Sequence, residues 1–311
     1  TLPDVPTERS LRTPEAVFVA GNNPFVVDTG NNRILRFDRY EQWPSDVSQP
    51  PSARGVIGQA DFNSFKLNRD LPEPSSRTLA QPGAAVFAAG ELFVADTFNN
   101  RVLVFPDPTT VAFDFTAQRT LGQEFFHTMG ANRVEARGLS IAGGAGMAVD
   151  KSSNPPRLYV ADTGNNRVLG YRDARKLRPG DSADLVIGQS DMLRALANYP
   201  SGDVLKPTAS SLFQPTGVAV DDQGNLWVAD TGNGRVLRFP KPNFDQPATL
   251  PAANLVLGKA DFTTGAADAP DPSPSNMGAP FGLAFTFEGH LLASDLLHNR
   301  VLLFVKSGGV F

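Results

Sequence analysis

Ala229-Asp230-Thr231-Gly232-Asn233-Gly234-Arg235-Val236-Leu237 is one of five copies of a single phrase. The others are Val27-Asp28-Thr29-Gly30-Asn31-Asn32-Arg33-Ile34-Leu35, Ala95-Asp96-Thr97-Phe98-Asn99-Asn100-Arg101-Val102-Leu103, Ala161-Asp162-Thr163-Gly164-Asn165-Asn166-Arg167-Val168-Leu169 and Ser294-Asp295-Leu296-Leu297-His298-Asn299-Arg300-Val301-Leu302. Their aspartates stand 68, 66, 68 and 65 residues apart, a period that marks a repeat architecture. A second phrase keeps the same period: Val56-Ile57-Gly58-Gln59, Thr120-Leu121-Gly122-Gln123, Val186-Ile187-Gly188-Gln189 and Val256-Leu257-Gly258-Lys259.

One period holds four strand candidates, clearest at Gly217–Val220, Leu226–Ala229, Arg235–Phe239 and Asn254–Gly258. Asp221-Asp222-Gln223-Gly224-Asn225 and Asp230-Thr231-Gly232-Asn233 supply tight turns between them. Four consecutive antiparallel strands per repeat predict an all-β propeller of five four-stranded blades, with six as the alternative, over a single domain spanning 1–311. The fifth repeat stops after its third strand. Pairing of the chain ends is expected to close the fold, with residues 1–12 supplying that outer strand, or else the Gly308-Gly309-Val310-Phe311 end turning back.

The Asp-Thr-Gly-Asn-Asn-Arg-Val phrase, following a Leu-Trp-Val or Leu-Tyr-Val strand, resembles the NHL repeat. The likeness spans almost the whole chain, although each repeat is longer than the roughly 40–45 residues of a typical propeller blade. The resemblance implies a propeller and leaves function open, since such propellers include binding modules, RNA binders and zinc-dependent amidating lyases.

Composition narrows the choice. The chain has 311 residues, 28 basic and 32 acidic, with a net charge of -4. No bulk field attracts nucleic acid, so no nucleic-acid partner is expected. No apolar run approaches the roughly 20 residues of a membrane span, and no membrane insertion is expected. Zero cysteines remove disulfides, thiolate metal sites and cysteine nucleophiles. Neither a Gly-x-Ser-x-Gly elbow nor a phosphate loop is present, and Gly143-Gly144-Ala145-Gly146 precedes a strand rather than a helix.

The repeated Asp28, Arg33, Asp96, Arg101, Asp162, Arg167, Asp230, Arg235, Asp295 and Arg300 read as scaffold. Aspartate caps tight turns, and the arginine fork pairs a nearby carboxylate or carbonyl. Function is expected where the repeats break symmetry, in the loop segments 61–80, 124–141, 191–213 and 261–279. The first carries Lys66, Arg69, Asp70, Glu73 and Arg77, the second His127, Arg133, Glu135 and Arg137, the third Tyr199, and the fourth Asp268 and Asp271. Phe98 and Leu297 place apolar side chains in otherwise polar turns. The candidate binding face is therefore Phe98, His127, Arg133, Arg137, Tyr199, Leu297 and His298.

His127, His290 and His298 are the only histidines. The last two bracket one strand at about 3.3 Å per residue, too far apart to share a zinc ion. No cofactor is expected, while a calcium ion in the channel would need no motif and leaves no mark in sequence. The expectation is a non-catalytic binding or assembly scaffold, extracellular or periplasmic, whose inter-blade loops hold a protein or glycan partner. The alternative is a metal-dependent lyase or lactonase-like hydrolase acting in the central channel.

Overall fold

Strand-forming runs separated by Asp-Thr-Gly-Asn and Asp-Gly turns produce five consecutive antiparallel meanders. The computed structural model describes every residue except 1–4, 47, 49, 132, 248, 266–270 and 309–310. The first sheet is β1 (Ala16–Ala20), β2 (Asn23–Asp28), β3 (Arg33–Phe37) and β4 (Ala53–Ile57). The second is β5 (Pro82–Ala88), β6 (Glu91–Asp96), β7 (Arg101–Phe105) and β8 (Arg119–Leu121). The third is β9 (Met147–Asp150), β10 (Arg157–Asp162), β11 (Arg167–Tyr171) and β12 (Leu185–Ile187). The fourth is β13 (Val218–Val220), β14 (Leu226–Asp230), β15 (Arg235–Phe239) and β16 (Leu255–Leu257). The fifth is β17 (Pro280–Phe285), β18 (Leu291–Asp295) and β19 (Arg300–Phe304), with three strands among the described residues.

Strand order follows chain order in every sheet, and no α-helix occurs among the described residues. In the fourth repeat the strands fall within one residue of the sequence-derived boundaries at every end.

Residues 1–132 with 175–181 form one compact unit, holding the first two sheets; residues 133–174 with 182–311 form another, holding the last three. In the first, Phe25, Val27 and Ile34 pack against Leu92, Val94, Leu103 and Phe105 of the next blade. In the second, Tyr159, Val168 and Ile187 pack against Leu226, Val228, Leu237 and Phe239. Trp227 and Val236 in turn meet Leu291 and Ala293, and Phe311 closes that core with its ring 4.8 Å from Trp227. Alternate side chains of one strand thus feed two cores, as the period of two requires.

Inner strands approach closely where glycine permits. A Cβ on Gly217 would lie 2.2 Å from the Phe281 carbonyl oxygen, and one on Gly146 would lie 2.4 Å from that of Thr216. Of the segment expected to complete the fifth blade, residues 1–4 lie outside the described residues. The remainder bonds within the first blade: Glu8 accepts from the Ala53 N–H, and the carbonyls of Thr7 and Ser10 accept from Arg33. The physical reason is that buried Arg33 needs those acceptors.

Candidate binding site

Each motif turn is built around a fully buried carboxylate. Oδ2 of Asp28, Asp96, Asp162 and Asp230 accepts the Nε–H of the arginine five residues on at 2.7 Å, and in the fifth blade at 3.1 Å. The same oxygen accepts the amide of Asn31, Asn99, Asn165 or Asn233, and His298 Nδ1 lies 2.7 Å from Asp295 Oδ2 in that place. Oδ1 accepts a backbone N–H from Arg12, Ala80, Ser140, Phe213 or Ala279, fastening the chain as it enters the inner strand.

Three of the four motif threonines look outward to the next blade, whereas Thr97 donates to the Ala95 carbonyl of its own strand. Thr29 donates to the Pro82 carbonyl, Thr163 to Pro215 and Thr231 to Pro280, at 2.7, 2.7 and 2.6 Å. Asn32 and Asn166 adopt left-handed backbone at φ 54° and 52°, and their Oδ1 atoms accept the N–H of Gln81 and Gln214. Gly30 is required because a Cβ there would lie 2.7 Å from the Arg12 carbonyl oxygen.

Electrostatics separates the turns. Burial pushes the Asp96, Asp162 and Asp230 carboxyls upward, opposed by their arginines and amide donors. Burial acts upward on Asp295 too, yet donors at Ala279, His298, Arg300 and Gly278 hold it below the ordinary range.

Between the first and second blades the motif face opens into a cleft of about 530 Å³. Gly30, Asn32 and Phe65 line it together with exposed Arg12, Lys66, Asp70 and Gln81. The Lys66 ammonium sits 5.9 Å from the Phe65 ring centre. Asn68, Arg69 and Asp70 are all left-handed, with φ 48°, 59° and 63°, a costly run that brings Asp70 to the rim. Two contacts hold it: Asn68 exchanges amide bonds with Asn99, and Arg69 donates to the Gly58 and Gln59 carbonyls. The charged and amide ends of Arg12, Lys66, Asp70 and Gln81 form no hydrogen bond or ion pair among the described residues.

The third and fourth blades provide an internal comparison. Backbone bonds align Gly30, Asn32 and Gln81 with Gly164, Asn166 and Gln214, so the floor repeats. The same alignment sets Arg12 against Ser140, Lys66 against Leu196 and Asp70 against Pro200. The charges belong to the first cleft and not to the scaffold.

Comparison with known proteins bears on this architecture. The NHL repeat family profile matches residues 214–239, the inner three strands of the fourth blade and the turns around them. A candidate 6-phosphogluconolactonase from Bacteroides uniformis superposes with a TM-score of 0.53 at 11% identity, covering 97% of this chain and 70% of its own. The chain has the fold of a β-propeller and carries an NHL repeat in its fourth blade. Virginiamycin B lyase from Staphylococcus aureus matches at a TM-score of 0.46 and 10% identity, over 95% of this chain and 71% of its own. No curated protein matches the sequence.

The residues expected at the binding face stand in separate surroundings. Phe98 takes the place of the motif glycine and is 52% exposed. His127 is exposed and stacks on Phe125, while Arg133 and Arg137 are exposed. Tyr199 is half-buried beneath the Arg194 guanidinium. Leu297 is 53% exposed, whereas His298 is engaged by Asp295. His290 accepts the Lys306 N–H through Nδ1. Asp268 lies outside the described residues. Among the described residues no three His, Asp or Glu side chains gather as metal ligands would, and no helix is long and apolar enough to cross a membrane.

Arg12 and Gln81 were not singled out by sequence reading. Gln81 shares with Gln214 a place before proline and a left-handed φ of 48°, a signal that two aligned repeats carry.

Proposed function

We propose that this NHL propeller is a non-catalytic binding module, which holds a protein or glycan partner through its inter-blade loops, with the cleft between the first two blades as the principal contact. The observation carrying this reading is the comparison of this cleft with the repeat-equivalent residues of the third and fourth blades. The glycine, asparagine and glutamine positions coincide, while Arg12, Lys66 and Asp70 have Ser140, Leu196 and Pro200 as their counterparts, and their charged ends make no hydrogen bond or ion pair among the described residues. A cation over an aromatic ring beside a carboxylate and an amide suits a polar partner bearing a carboxylate or sulfate.

A glycan array and a pull-down with the intact chain, each repeated with Arg12→Ala/Lys66→Ala, test the reading. The double variant is expected to keep the wild-type melting temperature and lose at least tenfold in affinity for whatever the wild type captures. Unchanged capture would overturn the assignment of the cleft. Lactonase-like hydrolysis, suggested by the name of the Bacteroides protein, is the competing reading. Turnover of a lactone panel by the wild type, lost in the same variant, would replace binding with catalysis.

A further inference from the structure

The free charges of the cleft between the first two blades narrow the chemistry of what it holds. Arg12 and Lys66 set against Asp70 leave a positive excess, on a chain whose net charge is -4. None of the three meets a hydrogen-bonding or ionic partner among the described residues, so the countercharge has to come from outside the fold.

Both walls of the cleft are held in costly backbone. Thr13 has φ 43°, an outlier for a β-branched residue, and across from it Arg69 and Asp70 have φ 59° and 63°. Their counterparts in the third and fourth blades, Ile141, Tyr199 and Pro200, are not left-handed. The first wall is pinned on either side of Arg12, whose N–H donates to Asp28 Oδ1 at 2.6 Å and whose carbonyl accepts the Gly30 N–H at 2.9 Å. On the second wall the Arg69 N–H donates to the Lys66 carbonyl at 3.1 Å, while the Arg69 guanidinium is fastened to the Gly58 and Gln59 carbonyls. The roots of the charged side chains are therefore placed before a ligand arrives, which lowers the ordering cost of binding.

Size and charge together select the ligand. A cleft of about 530 Å³ falls within the roughly 300–1,000 Å³ of small-ligand sites, whereas a standard protein contact covers about 800 Å² of each partner. Two cations call for an anionic group, and a guanidinium matches a carboxylate. Asp70 repels a segment rich in carboxylates, yet it accepts hydroxyl donors through charge-assisted bonds, and the Gln81 amide both donates and accepts. Half-buried Phe65, with Leu67 at 43% exposure, offers apolar surface to C–H groups. One small ring that carries a carboxylate, several hydroxyls and an apolar C–H face meets all of these demands.

We infer, resting on the binding reading above, that the cleft takes an acidic glycan through a hexuronate unit. Arg12 and Lys66 supply the countercharge to its carboxylate, and Asp70 and Gln81 take its hydroxyls.

The test is isothermal titration of the intact chain with tetragalacturonate and tetramannuronate, with their methyl esters and with hexaglutamate. At least one of the two uronates is expected to bind saturably at one to one, and about tenfold more tightly than its methyl ester. Arg12→Ala/Lys66→Ala should weaken it about tenfold or more. Asp70→Asn separates glycan from peptide by sign: it should weaken the uronate about threefold or more and tighten hexaglutamate. Failure of both uronates to saturate by about 1 mM would overturn the inference, as would a methyl ester that binds as tightly as its acid. Hexaglutamate bound more tightly than either uronate, and tighter still to Asp70→Asn, would assign the cleft to an acidic peptide and leave the binding reading standing. Uronate binding unchanged in Arg12→Ala/Lys66→Ala would overturn both.

Discussion

Replacing Arg235 by methionine removes the most heavily used side chain of the fourth motif. Arg235 is fully buried and donates to Asp230 Oδ2 at 2.7 Å, and also to the carbonyls of Phe262, Thr208 and Ser211. Methionine fills much of the volume but offers no donor, so a carboxylate and three carbonyls lose partners in a dry site. Breaking one side of a buried ion pair costs about 3–5 kcal/mol. For a body the size of the second unit, each kcal/mol lowers the melting temperature by about 2–4 °C, so a drop of roughly 6–20 °C is expected. Arg300→Met is the control. Its bond to Asp295 is longer at 3.1 Å and the side chain is 22% exposed, so water can replace part of what is lost. About 1–2 kcal/mol is expected there. Urea unfolding followed by fluorescence of Trp227, fully buried beside β15, reads both variants. A cost below about 1 kcal/mol for Arg235→Met, or equal costs for the two variants, would refute the claim that the motif arginine is a buried fastener.

Acid should open the blades unequally. The Asp295 carboxyl is held below its ordinary value, so its contribution is present above the unfolded value of about 3.9 and is lost as pH falls through the lower folded value. Asp96, Asp162 and Asp230 are pushed upward by burial, which gives the opposite sign. Amide exchange between pH 6 and pH 3 should therefore show β18 and β19 losing protection before β6, β10 and β14; simultaneous loss would contradict this. Gly217→Ala places a Cβ 2.2 Å from the Phe281 carbonyl oxygen and should cost about 1–3 kcal/mol in a denaturation curve, and a neutral result would mean the inner strands part easily. Leu297→Asp with Phe98→Asp should leave the melting temperature nearly unchanged, since both side chains are more than half exposed, while weakening partner binding or self-association. A large thermal loss without any change in association would show them to be packing residues.

The motif was legible because its polar residues are buried. Asp230, Asn233 and Arg235 must each meet fixed donors or acceptors, so their identities and spacing recur in the bare sequence. The strands of the fourth repeat were legible for a related reason: Gly224 at φ 83° and Gly234 at φ 63° punctuate them with backbone that few residues tolerate. The cleft was not. Arg12, Lys66 and Gln81 are far apart in the chain, and they meet only because Asn32 Oδ1 captures the Gln81 N–H and Gln59 captures the Lys66 carbonyl. The fate of the N-terminal stretch was hidden as well, since nothing in residues 5–12 announces that their carbonyls answer Arg33.

The hydroxyl of the motif threonine gives the repeats a grammar. Thr29, Thr163 and Thr231 each address a main-chain carbonyl of the following blade, while Thr97 keeps to its own strand, so where the link is made the sentence is indifferent to which word comes next. Any repeat that opens its inner strand with the same backbone path can be read after any other, and whole repeats could be duplicated, shuffled or exchanged by recombination without rewriting their neighbours. Leu296, which occupies the threonine position of the fifth repeat, has no hydroxyl with which to address a successor.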